Sequence, residues 1–358
     1  MSRWAGTRGK VLFLAPVTTK HLVFGLGKWF PVRLYMARPE LWVHRPLILP
    51  GDGKIPGVSK LNRALLIRST RKCMRRCGIN KPVLWSSNVM HWIPENVIGE
   101  SMRVFDLMDD YSGYSWAPVD VNERERAQIF NADLVFTGSG SLARRWEKTR
   151  SKAVHFIQNG VDAAHFIRAE HEEFPEPEDI SGLPGSRVGY IGVISNRIDH
   201  RIIEHIARNQ PDLGVVMVGP VLKDFPPMEE LANVRFVGQK AYEELPAYLK
   251  YISVCLLPMV ENAFTRNMNP TKLLEYLAAG KPVVSTPIPE VVGRFLKWVE
   301  IAQQPGEFLE AIRRCLLEDS PEKREKRIRF AQTFSWEKTL AEMEKHLRAA
   351  YNRKYNVI

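Results

Sequence analysis

Short apolar runs alternate with amphipathic stretches along almost the whole chain, and this alternation restricts the fold more than any composition figure. Residues 11–15, 83–86, 103–106, 134–137 and 154–157 have the length and apolar content of buried strands. A second series at 187–194, 214–218, 234–237 and 253–257 repeats the pattern, each run flanked by helical periodicity. Parallel strands need a long crossover to reverse the chain, and a helix is the usual one, so an α/β architecture with parallel sheets is expected. The chain has 358 residues, 45% of them hydrophobic and 25% charged, enough to bury two such cores.

Residues 269–286 carry the most specific pattern. Asn269 and Thr271 suit a helix start, and Pro270 suits the first turn, where its missing N–H costs nothing. Leu273, Leu274, Leu277 and Ala278 recur at helical spacing, Gly280 ends the helix, and 282–285 read as a buried strand. Lys272 in the first turn adds a cation to the positive end of the helix, where a phosphate is favoured. Glu275 offers a carboxylate to a sugar hydroxyl. The same pattern also describes an ordinary αβ unit of a parallel sheet.

The full string Asn-Pro-Thr-Lys-Leu-Leu-Glu-Tyr-Leu-Ala-Ala-Gly-Lys-Pro-Val-Val-Ser-Thr is more specific than its parts. It resembles the nucleotide-sugar-binding segment of bacterial glycosyltransferases of the GT-B architecture, which have two Rossmann-like domains. The resemblance implies that Lys272 faces the donor diphosphate and Glu275 binds the ribose. Retaining family-four enzymes carry a Glu eight residues before the ribose Glu, and this chain has Asn267 there. The match is closer to a branch that makes exopolysaccharide or teichuronic-type polymers. It also implies a last helix, from Trp336 onward, that crosses back to brace the first domain.

Two further constellations bear on chemistry. Gly189-Tyr190-Ile191-Gly192 closes a strand before a loop, where a residue without a side chain lets backbone amides approach a phosphate. By similarity to family-four relatives, Arg197 is a second phosphate contact, whereas Asp199 suits a helix cap. The run Phe105-Asp106-Leu107-Met108-Asp109-Asp110-Tyr111 follows an apolar strand, so its carboxylates lie at the strand's carboxyl edge, where open α/β sheets bind ligands. Crowded acids push one pKa upward, which suits a general base. Structural roles for Asp106 and Asp110 fit the same run. The run resembles an acidic segment of the same polysaccharide branch, which assigns the base to Asp109, with Asp110 second. In the loop 261–267, Arg266 is placed to neutralise a phosphate or a uronate, or to face solvent. His91, Trp92, Trp85 and Trp116 are acceptor-side candidates, because aromatic rings stack on sugar faces, and equally core residues.

Charge is unevenly placed. Residues 1–81 hold 17 Lys and Arg against Glu40 and Asp52, a balance of +15, so the remaining residues carry −4 of the total +11. Lys60, Arg63, Arg68, Arg71, Lys72, Arg75, Arg76 and Lys81 lie in a stretch without an acid, where Leu61, Ala64, Leu65 and Arg68 follow helical spacing. An anionic membrane surface is the expected partner, with a solvated helix face as the plain alternative. No nucleic-acid motif accompanies the charge, and nucleic acid is not expected. No apolar run approaches a membrane span, 11–17 is too short and Pro-interrupted for a signal peptide, and four cysteines form no framework, so a cytoplasmic, membrane-peripheral protein is expected.

Together these features divide the chain into an acceptor domain at 1–166, an exposed linker at 167–185, a donor domain at 186–335 and a crossover helix at 336–358. The resemblance implies transfer of a sugar from a UDP- or GDP-sugar to a lipid-linked or polysaccharide acceptor, with no cofactor and no bound metal. The residues expected to bind the donor are Gly192, Arg197, Arg266, Asn269, Thr271, Lys272 and Glu275. A non-hydrolysing nucleotide-sugar epimerase, or a catalytically silent donor-binding scaffold subunit, are the alternatives on the same fold.

Overall fold

The computed structural model describes residues 3–15, 17–18, 34–51, 55–89, 93–114, 117, 119–150, 154–228 and 230–356. His91, Trp92 and Trp116 lie outside the described residues. The chain forms two α/β domains of the GT-B type. The carboxyl-terminal one is built on a six-stranded parallel sheet in the order Val234–Gly238, Leu213–Val218, Ser186–Ile191, Val254–Leu257, Val283–Ser285, Glu300–Ile301. All six residues of Leu213–Val218 are buried, as expected for a strand covered on both faces. His200–Asn209 packs Ile202, Ile203 and Ile206 into this core, and Asp199 caps it by accepting the Arg201 N–H.

One expectation for this domain is refined and another changes. The charged, helical stretch 313–334 is divided between two helices, Pro305–Glu318 and Pro321–Gln332. Pro321 cannot donate within a continuing helix, and Ser320 caps the new start through the Lys323 N–H. At Thr271–Ala278 the cap position is Pro270 and no side chain caps the helix, so Asn269 and Thr271 do not act there. The far end is as expected: Gly280, at φ 73, allows the left-handed turn, and the Lys281 N–H closes onto the Tyr276 carbonyl.

The amino-terminal domain is less unified. Val83–Ser86, Met102–Leu107, Leu134–Thr137 and Val154–Phe156 form a four-stranded parallel sheet. A separate sheet has the order Val11–Leu14, Leu41–His44, Leu34–Arg38, and its last pair is antiparallel, a hairpin that the expectation of parallel pairing missed. Glu40, at φ 60, makes the tight turn. Between Val11–Leu14 and Val83–Ser86 lies a cavity of about 840 Å³ rather than a strand pairing.

The basic helix Val58–Cys77 lies against this gap. It buries Asn62, Leu66, Thr70, Cys73, Met74 and Cys77, whereas Leu61 and Leu65 are 49% and 40% exposed. The apolar stripe read from 61, 64, 65 and 68 therefore faces outward, with the basic residues around it. The inward stripe was hidden by Asn62, which is buried because its amide bonds both the N–H and the carbonyl of Leu49.

Residues 171–176 are mostly exposed, but the joining segment is pinned to the second domain. Ile180 is fully buried there, Tyr251 donates to the Phe174 carbonyl, and Tyr248 and Lys240 both reach Asp179. The last helix, Trp336–Tyr355, crosses back and packs Met343, Leu347 and Ala350 on Met102, Val104, Leu134 and Phe136. No helix among the described residues is long and apolar enough to cross a membrane.

Candidate active site between the domains

The acidic run sits at the carboxyl end of Met102–Leu107, and its three carboxylates face three different environments. Asp106 points back into the sheet, accepts from Trp85 Nε1 at 3.1 Å, and burial pushes its carboxyl up to about 6. Asp110 accepts from the backbone and hydroxyl of Ser112, from Arg145 at 3.2 Å and from Asn267 at 2.9 Å, so both oxygens are engaged. Asp109 accepts one bond, from Tyr114 Oη at 3.0 Å. Burial raises its pKa, and the charge of Asp110 adds to that rise. The Tyr114 hydrogen bond and the Arg197 guanidinium pull the other way. Burial and the Asp109 charge in turn push Tyr114 up to about 12.

Arg197 belongs to the other domain, so this electrostatic contact spans the cleft. Its guanidinium lies 5.3 Å from the Phe264 ring and donates to Ser195 Oγ at 3.2 Å. Below it, Gly192 sits at φ 155, and a Cβ there would meet Tyr190 Oη at 2.6 Å. Gly219 passes so close to the Gly192 carbonyl that a Cβ would overlap it at 1.9 Å. Only glycine fits either place, and the result is a bare backbone loop beside the donor helix. Tyr276 ties that loop to the helix, because its buried hydroxyl accepts from the Ile191 N–H at 2.8 Å.

On the first turn of Thr271–Ala278, Lys272 Nζ donates to Glu275 Oε2 at 2.8 Å. Burial raises the Glu275 pKa, opposed by Lys272 and by His165. His165 stacks on Tyr242, ring centroids 4.2 Å apart, which adds an aromatic wall near Glu275. Thr271 is exposed at the helix start. Arg266 is 62% exposed and paired with Glu261 at 2.9 Å, on the surface rather than against the helix.

Several candidates join the domains instead of facing an open pocket. Asn269 donates to the Gly138 carbonyl at 2.9 Å, and Asn267 reaches Asp110. Glu290 accepts from the N–H groups of Gly140 and Ser141 at 2.6 and 3.2 Å, so an acid from the second domain sits on the start of Gly140–Glu147 in the first. Gly113 lies against Phe264, whose Cβ would be 2.5 Å from an added Cβ. Glu290, Tyr114, Phe264 and Tyr276 went unread in the sequence. The acid following Pro289 at a helix start was a usable signal for Glu290, whereas the other three are ordinary aromatics whose roles depend on tertiary placement. Among the described residues, no group of three or more His, Cys, Asp or Glu is placed to hold a metal ion.

Residues 187–318 match the family described as glycosyl transferases group 1. The second domain is a group 1 glycosyl transferase domain. Over 228 residues the chain is 28% identical to a putative teichuronic acid biosynthesis glycosyltransferase, TuaH, of Bacillus subtilis (strain 168), covering 60% of this chain and 57% of that protein. The match therefore spans little more than half the length of that relative. Solved structures share the GT-B fold across both domains. Sucrose-phosphate synthase from Thermosynechococcus elongatus aligns with a TM-score of 0.65 at 17% identity, over 91% of this chain and 87% of that one. HepE of Anabaena, in complex with UDP, aligns at 0.62 and 16% identity, over 86% of each chain. Trehalose-phosphate synthase from Burkholderia vietnamiensis aligns at 0.69 and 9% identity, over 96% of this chain and all of the other. Arg197, Lys272 and Glu275 belong to the glycosyl transferase domain, and Asp109 to the first domain.

Proposed function

We propose that this protein is a glycosyltransferase of cell-surface polysaccharide synthesis, moving a sugar from a nucleotide diphosphate donor to a lipid-linked or polysaccharide acceptor. The observation that carries the proposal is that Asp109, a half-buried carboxylate holding one hydrogen bond among the described residues, feels the charge of Arg197 from the glycosyl transferase domain across the cleft. The relation to TuaH favours a cell-surface polymer, and the UDP held by HepE favours a UDP-sugar as donor.

In the proposed reaction, Asp109 takes the proton of an acceptor hydroxyl as its oxygen bonds to the anomeric carbon. The bond from that carbon to the diphosphate oxygen breaks, and negative charge collects on the diphosphate. Lys272, Arg197 and the first N–H groups of Thr271–Ala278 are the groups suited to receive it. Glu275 would exchange Lys272 for the ribose hydroxyls. Gly192 would leave the backbone open to the phosphates, and Asn269 and Asp110 would hold the domains in register. Thr271 and Arg266, exposed at the rim, would make peripheral donor contacts. An epimerase would need no lipid acceptor, whereas the outward Leu61 and Leu65 among basic residues favour work at an anionic membrane surface.

Isothermal titration with UDP, GDP and their sugars, followed by transfer assays with membrane extract as acceptor, tests the proposal. Binding of a nucleotide sugar with sugar incorporated into lipid or polymer is the expected outcome. Interconversion of the free nucleotide sugar would support an epimerase, and binding without turnover a scaffold. Vesicle sedimentation tests the location: binding to anionic but not neutral vesicles is expected, weakening as salt screens exposed charges beyond about 8–10 Å. Reversing Arg68, Arg71, Arg75 and Arg76 to Glu should release the protein, and undiminished binding by that variant would reject the membrane face.

A further inference from the structure

The cavity that splits the amino-terminal domain has a chemistry of its own. It runs beside the full length of Val11–Leu14 and of Val83–Ser86, and Leu12, Leu14, Leu66, Met74, Leu84 and Ile98 supply apolar walls. Its volume of about 840 Å³ lies within the roughly 300–1,000 Å³ of ligand sites, far beyond an ordinary packing defect. Among the described residues, Thr70, only 3% exposed, lines it with a hydroxyl that has no hydrogen-bond partner, and the Trp4 indole N–H on the same wall has none either.

Charge distinguishes its two ends. At the amino ends of both strands, the lining includes Arg8, Lys10 and Arg348, opposed by Glu344, which both arginines contact. Lys10 Nζ reaches the Cys77 carbonyl there, where the basic helix ends with Arg75 and Arg76 in its last turn. At the opposite end lie Ser87 and Asn88, next to Tyr111, whose hydroxyl donates to the Ser87 carbonyl. The acidic run begins there. Cationic charge thus marks the end away from the reacting carboxylate.

We propose that this cavity binds one acyl chain of an anionic phospholipid, with the phosphate at the Arg8, Lys10 and Arg348 mouth. The ester carbonyl of such a lipid is an acceptor of the kind that Thr70 lacks. The exposed basic helix would meet the headgroups around it. Unlike a lipid-linked acceptor, this lipid is not consumed: it tethers the domain, and the donor site plays no part in holding it.

The test uses the full-length protein and 1-lauroyl lysophosphatidic acid below its micelle concentration, with monolaurin and inorganic phosphate as controls. Titration calorimetry should show binding of the lysophosphatidic acid, about tenfold weaker binding of monolaurin, the size of one charge-assisted contact, and none of phosphate. Leu84→Trp, which intrudes on the cavity, should weaken binding at least tenfold, and the amino-terminal transition in scanning calorimetry checks that the domain carrying the substitution has folded. Thr70→Val and Lys10→Glu should each weaken lysophosphatidic acid binding, Lys10→Glu without weakening monolaurin. No binding of the lysophosphatidic acid to protein that binds UDP would overturn the inference and leave the glycosyltransferase proposal standing. Binding undiminished by Leu84→Trp would move the lipid to the outer face of the basic helix and equally overturn it. Lipid binding by protein that handles no nucleotide sugar would retain the cavity and remove the function proposed above. Competition between the lysophosphatidic acid and the acceptor in transfer assays would convert the tether into an acceptor site and reject the inference.

Discussion

The two domains share a fold and differ in how they are filled. In the carboxyl-terminal domain a single apolar core runs from Val161 through the six-stranded sheet to Ala331. The described residues of the amino-terminal domain divide the same task among three separate clusters and leave a large cavity beside two of them. A dense core suits a domain that must hold a phosphate loop and a helix start in fixed positions, because small displacements at such a site cost much of its electrostatic benefit. The looser domain carries most of the positive charge and the exposed apolar helix face, features of a surface that meets a large, variable partner.

The widest expected contrast is in stability. Leu256→Ala, at a fully buried position in the sheet, should cost about 2–5 kcal/mol, whereas Leu66→Ala, which borders an existing cavity, should cost less than half of that. Scanning calorimetry, resolving one transition per domain, measures both. Equal losses would mean that the amino-terminal core is as tightly determined as the other.

Asp109→Asn comes next, and it asks whether the looser domain supplies the chemistry. Turnover should fall at least about a hundredfold with donor affinity nearly unchanged, since the amide keeps the shape and loses the proton acceptor. With the base in place, turnover should rise with pH through a midpoint above that of an ordinary aspartate, because burial raises the Asp109 pKa. Asp110→Asn should instead open the contacts to Asn267 and Arg145. If it gives the larger loss of turnover at saturating donor, the base is the neighbouring residue.

Lys272→Ala probes the denser domain. It should weaken UDP by about 1.5–3 kcal/mol while uridine binding changes little, because the lost contact is with the diphosphate. Titration calorimetry with both ligands decides it, and equal losses would remove Lys272 from that role.

The smallest effect belongs to Asp106. Its folded pKa of about 6 lies above the ordinary carboxylate value, so the folded state holds a proton that the unfolded chain has released between roughly pH 4 and 6. Stability of the first domain should therefore decline as pH rises through that window. Asp106→Asn, which keeps an acceptor for Trp85, should recover about 1–2 kcal/mol at pH 7 and nothing below pH 4. Urea unfolding at both pH values measures it, and destabilisation at pH 7 would show that the carboxylate is needed there.

The same contrast governs what could be read in advance. The dense domain was legible because buried parallel strands appear as continuous apolar runs, and because residues 269–286 combine helix, loop and strand in fixed order. Lys272, Glu275 and Gly192 stand where local pattern put them. Asn269 and Asp110 were visible as chemistry but not as geometry, since their partners Gly138 and Asn267 are set by tertiary placement, whereas Arg266 turns to Glu261 within its own loop. In the looser domain, a buried Asn62 disguised the inward face of the basic helix. The sheet gap left no mark at all, because strand length and content do not record which neighbour a strand lacks.

Among the contacts between the domains, the approach of Gly113 to Phe264, beside the Tyr114 ring 4.8 Å from that of Phe264, is one of hard packing. The links made by Asp110, Glu290 and Arg197 are electrostatic or hydrogen-bonded, and their strength varies with ionic strength and proton concentration. Gly113 meets a ring and its Cα with no room for one more carbon, a limit of hard-core repulsion that no solvent condition shifts. Salt and pH would thus alter how often the cleft is shut, whereas the missing side chain at residue 113 fixes how far it can shut.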